Sequence, residues 1–162
     1  MCERYSGLLS LLLIILFGCT KEGGTLPSSI TDTNTGGYQL NGQAVSCQAS
    51  ATSGYILSST DSLESLAIHL AAPPALATPA SPYLILDFQR SATRPNTPYH
   101  LELATYFDGN YTKSIVFPDN IVAIIHETSR GVVSGTFATN KPGRYRFREG
   151  LFTNVHVQPP TD

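Results

Sequence analysis

The chain has 162 residues, with 10 Lys and Arg against 12 Asp and Glu, a formal net charge of -2 and only 14% charged residues. With no acidic or basic block, this composition argues against a nucleic-acid partner and against electrostatic attachment to anionic lipid. The length suits one ordinary domain behind a leader.

An apolar leader opens the chain. The apolar run 8–17 follows Arg4 and is too short for a membrane-spanning helix, which needs roughly 20 apolar residues. This three-part layout is typical of a secretory signal. Its end, Leu16-Phe17-Gly18-Cys19, resembles the bacterial lipobox, and the resemblance implies cleavage before Cys19 and acylation of its thiol. The alternative is an ordinary signal peptide with an incidental cysteine.

The sequence therefore predicts a signal peptide over residues 1–18 and an outer-membrane lipoprotein that faces the periplasm or the cell surface. Its lipid would be the link to the membrane, because two or more acyl chains anchor a protein stably. Residues 19–37 are rich in Thr, Ser and Gly, with Leu26 and Ile30 as the large apolar side chains. We expect a flexible tether with a root-mean-square span of about 25 Å.

The cysteines predict a domain without an intramolecular disulfide. Cys2 leaves with the signal peptide and Cys19 carries lipid, so Cys47 is the remaining thiol. It lies on the same side of an alternating segment as Val45 and Ala49. We interpret it as a buried, unreactive thiol and not as a nucleophile.

Short alternating runs separated by turn residues predict strands throughout residues 38–158, followed by a tail at 159–162. The clearest hairpin signal is Asn41-Gly42, since both residues tolerate the positive φ of a type I′ turn. The predicted strands are Tyr38–Leu40, Gln43–Ala49, Gly54–Ser58, Ser65–Leu70, Tyr83–Phe88, Tyr99–Phe107, Tyr111–Phe117, Ile121–His126, Gly131–Ala138 and Tyr145–Val157.

The pattern predicts an all-β fold, an antiparallel β-sandwich. A closed lipocalin-like barrel is the alternative, which the absence of Trp disfavours. One short helix over Asp61–Ala67 is also compatible with the sequence, because Asp61 could cap it, although the second half alternates like a strand. The proline-rich segment 71–82 predicts an extended loop.

The last third resembles a family of small, uncharacterised Bacteroidota lipoproteins. The resemblance rests on Ser134-Gly135-Thr136-Phe137, on a later strand containing Gly150-Leu151-Phe152, and on the early hairpin at Asn41-Gly42. It implies a β-sandwich-like domain and supplies no functional residues. Relatives commonly carry an aromatic residue near the position of Cys47.

Candidate catalytic and metal-binding residues are scattered. His69, His100, His126 and His156 fall on four predicted strands, and only Glu102 shares a strand face with one of them, His100. We expect no metal, no cofactor and no catalytic set from this spacing. Convergence of carboxylates in space stays open as an alternative. The candidates for it are Asp87, Glu102, Glu127 and Glu149.

Two further motifs have structural explanations. In Gly131-Val132-Val133-Ser134-Gly135 the serine stands one place late for a nucleophile elbow, and the context is a strand. An aromatic group could form a sugar-binding platform, but core packing explains it better. Its members are Tyr99, Tyr106, Phe107 and Tyr111.

The strongest binding signal is Arg144-Tyr145-Arg146-Phe147-Arg148. Strand alternation places Arg144, Arg146 and Arg148 on one face, where they could hold a carboxylate, a phosphate or an acidic glycan. The alternative is a solvated face paired across the sheet with acidic side chains such as Glu127. We therefore expect a non-catalytic domain that binds a protein or glycan partner in the envelope, with an envelope hydrolase as the alternative.

Overall fold

The computed structural model describes residues 33–57, 62–109, 120–129, 131–141 and 143–159, and the backbone of 114–116. These residues form nine strands, with no helix among them. The strands are β1 (Thr35–Leu40), β2 (Gln43–Leu57), β3 (Ser62–Ala71), β4 (Tyr83–Ser91), β5 (His100–Phe107), β6 (Ser114–Val116), β7 (Ile121–Ser129), β8 (Val132–Thr139) and β9 (Phe147–Gln158).

The prediction of an antiparallel all-β fold is confirmed, whereas the two-sheet sandwich is not confirmed. The described strands form one sheet in the order β6-β5-β4-β3-β2-β1-β9-β8-β7. Neighbours pair antiparallel except at a short parallel contact of β2 with β9, where Ala51 lies opposite Val157. In a sandwich the two halves would lie in separate sheets, but here β1 pairs with both β2 and β9 and joins them.

The sheet curls so that strands far apart in its order meet across the interior. The rings of Tyr106 on β5 and Phe147 on β9 lie 5.4 Å apart between centroids. Arg90 on β4 donates to Glu127 on β7 at 3.2 Å. One continuous core therefore fills the concave side, as in half a barrel. Its fully buried large side chains are Tyr38, Leu66, Ile68, Leu70, Leu84, Leu86, Phe88, Val133, Phe147, Phe152 and Val155.

Several predicted boundaries shift because long-range pairing extends the strands. β1 begins at Thr35, three residues before the predicted start. Two predicted strands merge into the 15-residue β2, because its first half pairs with β1 and its second half with β3. The segment considered for a helix is strand from Ser62 onward, since Ser62–Ala71 pairs on both sides.

The connections between strands lie at two ends of the sheet. At one end, the Asn41-Gly42 turn has positive φ at both residues, as predicted, and the Asn41 amide donates to the Arg146 carbonyl. The Tyr145 hydroxyl at this end donates to Asp108 at 3.0 Å. The proline-rich connection after β3 forms two turns in place of the expected extended loop, one of them closed by the Leu76 amide.

The opposite end contains the place where the chain enters the sheet. There the Asn34 amide donates to the Asn154 carbonyl at 3.2 Å, and the Ala49 amide donates to the Asn34 carbonyl at 2.8 Å. The Val157 amide donates to the Gly131 carbonyl at the same end. β1 spans six residues, so these two ends are separated by about 20 Å along that strand.

The Ser-Gly-Thr-Phe strand and the Gly-Leu-Phe strand fit each other by pairing glycine with phenylalanine. Gly135 lies opposite Phe152, and Phe137 lies opposite Gly150. A Cβ added at Gly150 would meet the Phe137 ring at 2.6 Å, and one added at Gly135 would collide with the Phe152 ring. Each aromatic ring therefore covers a glycine on the neighbouring strand.

Candidate functional site

The arginine segment has the predicted alternation of exposed cations and buried aromatics. Tyr145 and Phe147 are buried, whereas Arg144, Arg146 and Arg148 are exposed. Only the last part is strand, because β9 begins at Phe147. The two aromatic side chains anchor the segment in the core. Phe147 packs on Tyr38 at 5.4 Å, and Tyr145 on Tyr106 at 5.0 Å, between ring centroids.

Asn41 fixes the backbone of this segment from the neighbouring hairpin turn. Its side-chain Oδ1 accepts a hydrogen bond from the backbone amide of Arg146 at 2.9 Å. Its backbone amide donates to the Arg146 carbonyl at 2.9 Å. Its Nδ2 also donates to the Arg144 carbonyl at 3.4 Å. The sequence identified Asn41 only as a turn residue, because nothing local links it to a segment 103 positions away.

Arg146 and Arg148 stand between two depressions in the surface. One, of about 350 Å³, is lined by these arginines together with the Asn41-Gly42 turn and Gly143. The other, of about 220 Å³, is lined by the same arginines with Thr139, Asn140 and Lys141. We call Lys141, Arg144, Arg146 and Arg148 the basic segment. Sequence reasoning missed Lys141, which lies in the connection between β8 and β9.

The described residues hold no ion pair to the basic segment. Both ion pairs of that part of the chain belong to Arg90, which binds Glu64 at 2.7 Å and Glu127 at 3.2 Å. The suggestion that Glu127 pairs with Arg144, Arg146 and Arg148 is therefore wrong, because the curl of the sheet brings Glu127 to Arg90. Glu149, next to Arg148 in the chain, accepts from Gln39 Nε2 at 2.7 Å.

A second polar cluster surrounds Arg90. Its guanidinium lies 4.2 Å from the centroid of the Tyr99 ring, and the Tyr99 hydroxyl donates to Glu64 at 2.8 Å. The hydrogen bond from Arg90 lowers the pKa of Glu64 below its usual value. Burial, followed by the hydrogen bond to Glu64, raises the pKa of Tyr99. We interpret this cluster as structural, because its contacts connect β3, β4 and β7.

One of the described histidines lies near a carboxylate. His69 and Asp87 lie near each other on β3 and β4, where burial raises the pKa of Asp87 and the histidine opposes that shift. Over the part of the chain that the structure describes, no three His, Cys, Asp or Glu side chains are grouped to hold a metal ion. The other three histidines, His100, His126 and His156, are exposed on β5, β7 and β9.

The remaining candidates have structural partners. Ser134 Oγ accepts from the Asn154 amide at 2.9 Å. Tyr106 is buried in the core, and Phe107 stacks on Tyr83 at 4.2 Å between centroids. The proposed aromatic platform is thus divided between the core, the Arg90 cluster and a stacked pair, and its fourth member, Tyr111, lies outside the described residues.

Cys47 is buried and free, as the alternating pattern predicted. Burial raises the pKa of the thiol to about 12. A thiol in this state is neutral at physiological pH, and thiolate is the reactive form.

Comparison with known proteins gives no information on function, so the proposed function is argued from the residues of this chain. No family model matches the chain, and neither curated proteins nor solved structures provide a match. None of the described residues belongs to a helix long and apolar enough to cross a membrane. The predicted signal peptide, Cys19 and most of the tether lie outside the described residues.

Proposed function

We propose that this chain is a bacterial envelope lipoprotein whose β domain binds an anionic partner through the basic segment. The leader 1–18 directs export, Cys19 carries the lipid, and residues after it tether the domain to the outer membrane. Membership of the Bacteroidota lipoprotein group with the Ser-Gly-Thr-Phe strand is part of this proposal. No catalytic role is assigned.

One observation carries the proposal for binding. Arg146 and Arg148 are exposed, line two depressions together, and have no ion-pair partner among the described residues. Guanidinium groups suit carboxylates and phosphates because they donate in a fork that matches two oxygens. The hydrogen bonds of Asn41 and the buried aromatic side chains fix the backbone of this segment. Binding therefore costs conformational entropy mainly in the arginine side chains.

Binding to polyglutamate and to polyphosphate tests the site with two defined anions. We expect Arg146→Ala to weaken binding roughly tenfold, since a hydrogen bond to a charged group contributes about 1.5–3 kcal/mol. The affinity of the unaltered protein should fall as salt rises, because exposed charges are screened. Arg94→Ala is the matched control, because it removes the same charge from an exposed residue in the connection after β4.

Equal losses from Arg146→Ala and Arg94→Ala would show that only net charge matters, and the site would then be rejected. No binding of either polymer at low salt would reject it as well. The lipid is tested separately by labelled palmitate, which should enter the protein and be lost in Cys19→Ser. Undiminished label in that variant would contradict lipidation at this position.

A further inference from the structure

Apolar side chains are exposed at the end of β2, on the side of the sheet where the chain enters. Tyr55, Ile56 and Leu57 at the end of β2 have exposed fractions of 69%, 42% and 85%. Tyr55 and Leu57 continue the side of β2 that buries Ala49 and Ala51 further back, since side chains alternate along a strand. We call Tyr55, Ile56 and Leu57 the apolar lip.

The apolar lip is exposed because β2 extends beyond the end of β9, one of the strands that pair with it. β9 last pairs with β2 at Thr52, opposite Gln158. From there to Leu57, β3 is the strand that pairs with β2 in the described part of the chain, and Leu57 lies opposite Ser62. The core-facing side of β2 therefore extends past the core, with its large apolar side chains in solvent. Consecutive exposed apolar residues of this kind mark a contact surface.

The position of the lip relative to the incoming chain indicates what covers it. The chain enters beside Ala49, and Leu57 lies about 26 Å further along β2 in the direction away from the basic segment. The fourteen residues that lead from Cys19 to Thr33 can extend to at most about 50 Å. The tether is therefore long enough to let the lip reach the bilayer that holds the lipid.

We propose that the apolar lip rests in the interface of the bilayer to which the lipid anchors the protein, with the basic segment facing away from that bilayer. This proposal rests on the lipidation proposed above. Tyrosine suits the headgroup layer and leucine or isoleucine the acyl boundary beneath it. The contact is made by the side of the ribbon that carries Tyr55 and Leu57.

Two physical features make such a contact effective. The lipid anchor holds the lip at a high effective concentration near the bilayer, so a weak intrinsic affinity suffices. Residues 52–66 contain no Lys or Arg. The contact should therefore form on zwitterionic lipid and resist salt, in contrast to anion binding at the basic segment.

The absence of Trp from the chain allows a direct test. Leu57→Trp places a single fluorophore in the lip, and Leu76→Trp places one at a residue that is 73% exposed in the connection after β3. Each lipidated variant is reconstituted into phosphatidylcholine vesicles with brominated acyl chains. We expect a blue shift and quenching for Leu57→Trp at low and high salt, and an unquenched, solvent-like emission for Leu76→Trp.

A third variant isolates the apolar contribution. Adding Tyr55→Ser to Leu57→Trp should reduce the quenching, because it removes the other apolar side chain on the side of the ribbon that makes the contact. Unchanged quenching in this variant would overturn the proposal. Quenching of Leu76→Trp, alone or together with Leu57→Trp, would overturn the orientation and with it the proposal.

Flotation with the vesicles separates this proposal from the one it rests on. Failure to float would refute the lipid anchor and the lip contact that depends on it, while the anion site is judged by its own binding test. Flotation without quenching of Leu57→Trp would refute the lip contact alone, while leaving the anchor and the anion site in place.

Discussion

Replacing Arg90 with methionine should destabilise the domain more than any other single loss of charge among the described residues. Arg90 is only 10% exposed and binds Glu64, which is 21% exposed, at 2.7 Å. Arg90→Met keeps the aliphatic packing but leaves the Glu64 carboxylate, among the described residues, with the Tyr99 hydroxyl as its remaining partner. Breaking a buried pair costs about 3–5 kcal/mol, and the partial exposure of Glu64 lowers our expectation to about 2–3 kcal/mol.

A double-mutant cycle separates the two carboxylates that bind Arg90. The coupling of Arg90 with Glu64 should be about 2 kcal/mol, measured from urea unfolding of Arg90→Met, Glu64→Gln and the double variant. The coupling with Glu127 should be below about 1 kcal/mol, because that side chain is 46% exposed and its contact is 3.2 Å. Arg94→Met, in an exposed connection, should change the free energy of unfolding by less than about 0.5 kcal/mol.

The same variant should show a characteristic pH dependence. Arg90 lowers the pKa of Glu64 in the folded protein, so the pair adds stability above the unfolded pKa of about 4.3 and loses it as pH falls through the lower folded value. The difference in unfolding free energy between the original protein and Arg90→Met should therefore be largest near neutral pH and shrink in acid. A coupling with Glu64 below about 0.5 kcal/mol, or a difference that persists at low pH, would refute this reasoning.

Three other substitutions test the core and the site. Gly150→Ala should lower the free energy of unfolding in urea by about 1–3 kcal/mol, because the new methyl group meets the Phe137 ring at 2.6 Å. Gly54→Ala should lower it much less, because the new methyl group faces the hydroxyl of Ser65, which can rotate away. Equal losses in the two variants would contradict the packing argument. Cys47 should react with a thiol reagent at pH 8 only in denaturant, because it is buried and its pKa is raised to about 12; rapid reaction of the folded protein would show that the site opens. Asn41→Gly keeps the positive-φ turn but removes the two side-chain hydrogen bonds to Arg144 and Arg146, so it should lower affinity for polyphosphate about fivefold without changing net charge. Unchanged affinity would mean that these hydrogen bonds do not order the basic segment.

The pattern of side chains along each strand could be predicted from the sequence, because alternation is a local property. Asn41-Gly42 specifies its own turn, and Cys47 follows the side of its strand that carries Ala49. Burial of Tyr145 and Phe147 is favourable, and the alternating arginines then point to solvent whichever strand the segment packs against. These features depend on a few neighbouring residues and on the side-chain period of two.

Register shifts were beyond the local pattern. Glu149 and Asn154 have positive φ, and near each of them the buried positions of β9 shift by three residues, from Phe147 to Gly150 and from Phe152 to Val155. The pairing of β9 with β1 and with β8 is irregular there. Bulges of this kind depend on the neighbouring strands, since an extra residue is accommodated only where both sides of the ladder allow it.

The single curled sheet and the surroundings of its charged groups were decided by the tertiary structure. Alternation shows that a strand has one buried face but does not select its neighbour, so a sandwich and a curled sheet predict the same pattern. Once β1 joins β2 to β9, the sheet curls, and Glu127 comes to Arg90 instead of to the basic segment. The same closure brings Asn41 to Arg146, because contacts between distant residues depend on strand order and register, which no local stretch of sequence specifies.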